Sequence, residues 1–132
     1  MIVEELPRPK KERKLPTVLS KDEVTRLLDS VRNRKHRAIL MLVYSAGLRV
    51  SEVVRLKLED IDVRRRLIHI KGSKGRKDRY TLLSSVALEA LRDYYRFYRP
   101  RKWLFPGKRK DRHISARTVQ KVVTSAGKRA GI

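Results

Sequence analysis

The sequence reads as an α+β fold, mainly helical with a small antiparallel β-sheet made by one hairpin. Three observations carry this. Apolar residues recur at helical spacing in separate segments, and three of those segments open on a serine. Between residues 67 and 83 the period drops to two. A turn rich in glycine and charge divides that stretch into two alternating runs.

The elements follow in order. Residues 1–16 read as a linker, because Pro7, Pro9 and Pro16 punctuate a charged run with almost nothing to bury. Ser20-Lys21-Asp22-Glu23 is a capping box, and Val24, Leu27, Leu28 and Val31 follow at i, i+3, i+4 and i+7. Residues 35–46 are apolar on nearly all sides, which predicts a buried helix ended at Gly47. A short helix comes next, with Val50, Val53, Val54 and Leu56 inward. Leu67, His69 and Lys71 alternate with Ile68 and Ile70 as a strand, and 79–83 returns antiparallel to it. Ser84 or Ser85 caps a helix carrying Ala87, Leu91, Tyr94 and Tyr98, which Pro100 stops. Tyr44 is expected in the core, and Tyr94 and Tyr98 along their helix. Trp103-Leu104-Phe105-Pro106 forms an apolar clip, a basic loop runs over 107–113, and Ser115 caps a last helix with Val119, Val122, Val123 and Ala126 inward.

Composition narrows the function. The 132 residues hold 35 Lys+Arg against 14 Asp+Glu, a net charge of +21, and no cysteine. That excludes a disulfide-stapled or zinc-thiolate protein. No stretch approaches the ~20 apolar residues of a membrane span, and no signal-peptide pattern opens the chain, so a cytoplasmic protein is expected. Such a surplus of positive charge repels itself unless a polyanion lies against it, and nucleic acid is the commonest one. Asn33 and Gln120 are the only side-chain amides, a composition that fits a thermophile.

Two constellations carry chemistry. The hairpin tip offers Lys71, Lys74, Arg76, Lys77 and Arg79 against Asp78 alone. A ribbon with a cationic turn can enter a groove, although charge at hairpin tips is also often merely solvated. In Gly47-Leu48-Arg49-Val50-Ser51-Glu52, an arginine at the start of a helix offers a fork of N–H donors beside the helix amides, and both favour an oxyanion. Glu52, one turn on, is placed to hold the guanidinium. An ordinary i,i+3 surface pair explains the same residues.

Ala46-Gly47-Leu48-Arg49-Val50-Ser51-Glu52, followed 22 residues after Glu52 by Lys74-Gly75-Arg76-Lys77-Asp78-Arg79, resembles the catalytic domain of tyrosine recombinases of the integrase and Xer type. The order of Leu19-Ser20-Lys21-Asp22-Glu23, Leu104-Phe105-Pro106 and Ile114-Ser115-Ala116-Arg117-Thr118-Val119-Gln120 agrees, and the likeness runs over 17–132. The resemblance implies double-stranded DNA as partner and strand cleavage through a 3′-phosphotyrosine, with no metal and no small-molecule cofactor. It implies that Arg49 is the first catalytic arginine, Lys74 the general acid to the departing 5′-oxygen, and Glu52 the support of the arginine. By the same resemblance, Arg117 and Gln120, joined by Lys121, match the family helix that lies in the major groove.

The family pattern also asks for a His-x-x-Arg motif, a later His or Trp, and the tyrosine nucleophile, all beyond the Ser-Ala-Arg-Thr helix. His36, His69 and His113 do not supply the motif, and Tyr44, Tyr80, Tyr94, Tyr95 and Tyr98 lie upstream of the nucleophile's place. The chain therefore reads as a partial catalytic domain, a DNA-binding fragment inert alone. The resemblance implies that the complete form works as a tetramer with other recombinase subunits. Missing covering helices are expected to leave an apolar patch. The alternative is a non-catalytic basic module that coats or competes for DNA. On a nicked suicide duplex this chain is expected to give no covalent DNA adduct in a denaturing gel; a phosphotyrosine product would reveal an overlooked nucleophile.

Overall fold

The computed structural model describes residues 20–72, 77–109 and 111–131. The linker expected over 1–16, Lys74 and Arg76 lie outside the described residues. The elements run α1 (Lys21–Asp29), α2 (Arg34–Tyr44), α3 (Val50–Val54), a 3₁₀ turn (Leu58–Asp60), β1 (Ile61–Asp62), β2 (Leu67–Ile70), β3 (Arg79–Leu82), α4 (Ser85–Tyr98) and α5 (Ala116–Arg129). The α+β class and the mainly helical composition are as the sequence predicts.

Capping sets where the helices begin. Ser20 Oγ accepts from Glu23 N at 3.1 Å, and Glu23 Oε1 accepts from Ser20 N at 2.9 Å, so both halves of the box form. Asn33 caps α2 by accepting from the amides of Lys35 and His36. Ser84 caps α4 and Ser115 caps α5 in the same way.

The all-round hydrophobicity of α2 now has its reason. Ala38, Ile39, Leu40, Met41, Leu42 and Val43 are all buried, because α1, α3, α4 and α5 each pack against this helix. Tyr44, at its end, is half-buried. The helix ends at Tyr44 with Ser45 as its cap, short of the expected Gly47, which follows in the left-handed conformation at φ +73° that glycine takes without a Cβ clash. The amide of Leu48 then returns to Leu42 O at 3.1 Å, and the chain emerges at Arg49.

The sheet has the order β1-β2-β3, antiparallel throughout, with Ile61 opposite Ile68 and Ile70 opposite Arg79. Ile68 and Ile70 face the core. Tyr80 and Leu82 lie on the outer face and are 62% and 74% exposed. Two-residue β1 was not anticipated, since a strand that short shows no alternation of its own.

The apolar clip is pinned on three sides. Lys57 pairs with Trp103, Leu104 N donates to Leu56 O, and Ile114 N donates to Phe105 O. Tyr94, fully buried, packs its ring at 5.1 Å and a 42° tilt against Phe105 and donates its hydroxyl to Leu104 O at 2.6 Å. Tyr98 packs its ring 5.1 Å from Tyr94 yet stays 45% exposed. Beside the clip, Gly107 N donates to Arg112 O, and a Cβ at Gly107 would meet His113 O at 2.9 Å, so the close approach demands glycine. An apolar hollow of about 570 Å³ opens between α4 and the 61–63 segment, where Val63 and Tyr95 are exposed.

These positions set opposite expectations for two leucines. Leu42, fully buried, should cost about 2–5 kcal/mol as Leu42→Ala. Leu82→Ala on the outer sheet face should stay within about 0.5 kcal/mol. Urea denaturation of both variants checks the pair.

Candidate nucleic-acid interface

Arg49 stands immediately before α3 in an extended conformation, with φ −79° and ψ 156°. Its N–H is bonded at 2.9 Å by Glu52 Oε1, which thereby holds the first turn of the helix from inside. The same oxygen accepts from Arg79 Nη2 at 2.8 Å, so one carboxylate joins the Arg49 turn to the start of β3. Glu52 is shielded, with its side chain 13% exposed, while Arg79 is 47% exposed.

This junction floors an open hollow of about 330 Å³. Arg49, Arg55, Lys71, Lys77 and Arg79 line it against one carboxylate, Glu52. Five cations facing one acid, already engaged by Arg79, leave the hollow strongly positive and suited to a phosphate. Gly72 and Lys77, at the two described ends of the hairpin connection, both reach its wall. Lys74 and Arg76 lie outside the described residues, so the expected meeting of Arg49 with Lys74 is represented here by Arg49 alone.

The acidic groups sit to one side. Lys71 Nζ donates to Glu59 Oε2 at 3.0 Å and lies 3.3 Å from Asp60 Oδ1. Asp60 is buried, its Oδ2 accepts from Lys57 N, and its Oδ1 meets Lys71 by charge without hydrogen-bond geometry. The hydrogen bond from Lys71 lowers the Glu59 pKa, and Glu59 first, with the neighbouring Asp60 carboxylate second, raises that of Lys71. Asp78 accepts from Gly72 N at 2.8 Å through Oδ1 and meets His69 Nε2 at 2.8 Å through Oδ2. His69 in turn stacks on Tyr80 at 4.8 Å. The Gly72 amide first, and His69 second, hold the Asp78 carboxyl below the ordinary range.

A second cationic surface runs along α5, which packs against α1, α2 and α3. Val119, Val122, Val123 and Ala126 are buried, so Arg117 and Lys121 point away from the core and are exposed, with Gln120 half-buried at the flank. Lys121 also borders a hollow of about 250 Å³ with His36 and Arg129. Burial chiefly, with Lys35 and Arg129, lowers the His36 pKa.

Several of these residues escaped sequence reasoning. Arg55 follows a helix of five residues, and no spacing rule links it to Arg49. His36 and Arg129 are 93 residues apart. Thr81, whose Oγ1 donates to Ala46 O at 3.1 Å, gave no signal beyond strand alternation. Among the described residues, no cluster of His, Asp or Glu is arranged to hold a metal ion.

The depressed Asp78 pKa carries a sign. A carboxyl whose folded pKa lies below its unfolded value, near 3.8, adds stability above that value. The contribution is lost as pH falls through the folded pKa. Thermal melts from about pH 2.5 to 6 should show an acid decline that is shallower in Asp78→Asn; parallel curves would remove the role given to this carboxylate.

The chain is similar to several known proteins. The sequence model of the phage integrase family matches residues 17–132. A putative integrase/recombinase, y4eF of Sinorhizobium fredii, is 52% identical over 116 residues, which is 88% of this chain and 46% of that protein. Tyrosine recombinase XerA of Pyrococcus horikoshii is 36% identical over 132 residues, covering 98% of this chain and 46% of that one. A crystal structure of XerA recombinase superposes with a TM-score of 0.77 at 28% identity, over 96% of this chain and 46% of the other. The chain thus spans less than half the length of these relatives.

Proposed function

The chain belongs to the phage integrase family, and from that premise we propose that it is the DNA-binding front part of a site-specific tyrosine recombinase. The observation that carries this reading is the basic hollow that brings Arg49 together with the root of the hairpin. A backbone phosphate fits there, with the Arg49 guanidinium on its non-bridging oxygens. As a nucleophile adds and phosphorus becomes five-coordinate, negative charge grows on those oxygens, and a fixed guanidinium stabilises it more than the ground state.

Lys74, on the hairpin connection, gives the proton to the departing 5′-oxygen. Glu52 supports the Arg49 turn. None of the chain's five tyrosines lines the hollow, so the attacking hydroxyl comes from outside these residues. Arg117 and Lys121 lie on the exposed side of α5 with Gln120 at its flank, and Arg117 and Gln120 present guanine- and adenine-reading groups to a major groove. Lys77 contacts backbone beside the hollow, while Lys71 acts there through its acidic partners. Assembly with further subunits as a tetramer, in the cytoplasm, belongs to the same proposal.

Fluorescence anisotropy on duplex DNA tests it. Affinity should fall steeply between about 50 and 200 mM salt, as phosphate contacts release counterions. Arg49→Gln should weaken binding on the order of tenfold and reduce the salt slope by about 1. Binding indifferent to salt, or an Arg49→Gln variant matching the wild type, overturns the reading.

A further inference from the structure

Strand β3 grips the segment that carries Arg49 at two points. Alternate residues of a strand share a face, and Arg79 and Thr81 share the one turned toward residues 46–52. Thr81 Oγ1 donates to Ala46 O at 3.1 Å, and Arg79 Nη2 donates to Glu52 Oε1 at 2.8 Å. Ala46 stands three residues before Arg49 and Glu52 three residues after it. The Glu52 oxygen that receives Arg79 also receives the Arg49 N–H.

The gripped segment contains one point of backbone freedom. Gly47 at φ +73° lies inside it, with nothing within 4 Å of where a Cβ would stand. Buried Leu48, bonded to Leu42 O, anchors the segment from inside, while the glycine leaves the backbone freedom that contacts on the two flanks restrict. One flank is a neutral hydroxyl on a half-buried threonine. The other is a pair whose acid is 13% exposed, and therefore less screened than a surface pair.

We propose that Arg79 and Thr81 are positioning residues for Arg49, holding its turn at a fixed place against the hairpin, and that Arg79 is not itself a phosphate ligand. This rests on the reading of Arg49 as the phosphate-binding arginine. It moves Arg79 out of the set of direct DNA contacts in which its charge alone would put it.

The experiment combines amide hydrogen exchange with a double-variant cycle in DNA binding, using the 132-residue chain. Thr81→Val keeps size and charge while removing the donor. It should speed exchange of the Arg49 amide and weaken DNA binding by about two- to tenfold, the worth of one hydrogen bond. In an Arg49→Gln background the binding loss should vanish, because both substitutions act through the same guanidinium. Thr81→Ser, which keeps the hydroxyl, should restore both readouts and so separate the lost bond from lost packing. Arg79→Gln should likewise speed exchange at Arg49.

Losses from Arg79→Gln and Arg49→Gln that simply add, with the salt slope of the double variant lower by about 2, would make Arg79 a phosphate ligand and overturn the proposal. Unchanged exchange at Arg49 in both Thr81→Val and Arg79→Gln would overturn it as well. If Arg49→Gln leaves affinity untouched while exchange still quickens, the grip stands and the phosphate-binding reading of Arg49 falls instead.

Discussion

The burial of α2 is the constraint on which the rest is built. Six successive side chains of that helix, from Ala38 to Val43, are enclosed, because four other helices pack against it and leave this stretch no face for solvent. A helix so enclosed cannot drift, and its end therefore delivers the following turn to a defined place. Gly47 allows the chain to leave without disturbing the last buried residues. Arg49 emerges from this exit, which links the packing of the core to the position of a surface cation.

Charge is organised around that exit in an uneven way. Of 14 acidic residues, Glu52, Glu59, Asp60 and Asp78 gather at the base of the hairpin. Each is used to fix a backbone amide or a cation: Glu52 the Arg49 and Arg79 groups, Asp60 the Lys57 amide, Asp78 the Gly72 amide. Acids spent in this way bring order to the root of the ribbon while leaving the hollow positive. The net surplus of 21 positive charges, in which these acids are already counted, remains for a polyanion to offset.

Local signals were the legible ones. The Ser20-Glu23 box, the helical stripe of α5 and the alternation of β2 and β3 each lie within a few neighbouring residues, and each appears where the sequence placed it. The α2 helix was also plain, although its cap, Asn33, was not recognised. What escaped was held by distant partners. The two-residue β1 exists because β2 lies beside it, and the clip is set by pairing of Trp103 with Lys57, 46 positions away. At the site, the motif drew attention to Arg49 and Glu52, but the grip of Arg79 on Glu52 spans 27 positions. Lys71 read as a free cation because its acidic partners come from the 3₁₀ turn eleven and twelve residues earlier.

The 107–113 loop is closed at its neck by Gly107 N to Arg112 O, by the pairing of Pro106 with His113, and by Ile114 N to Phe105 O. A neck fastened in this manner insulates Ser115, and with it the register of α5, from whatever lies at the tip. Closing a longer loop costs little, about 0.6 kcal/mol for each doubling. Insertions or an attached label at the tip are therefore compatible with an unmoved α5, which makes this apex the natural attachment point for a probe or a fused domain.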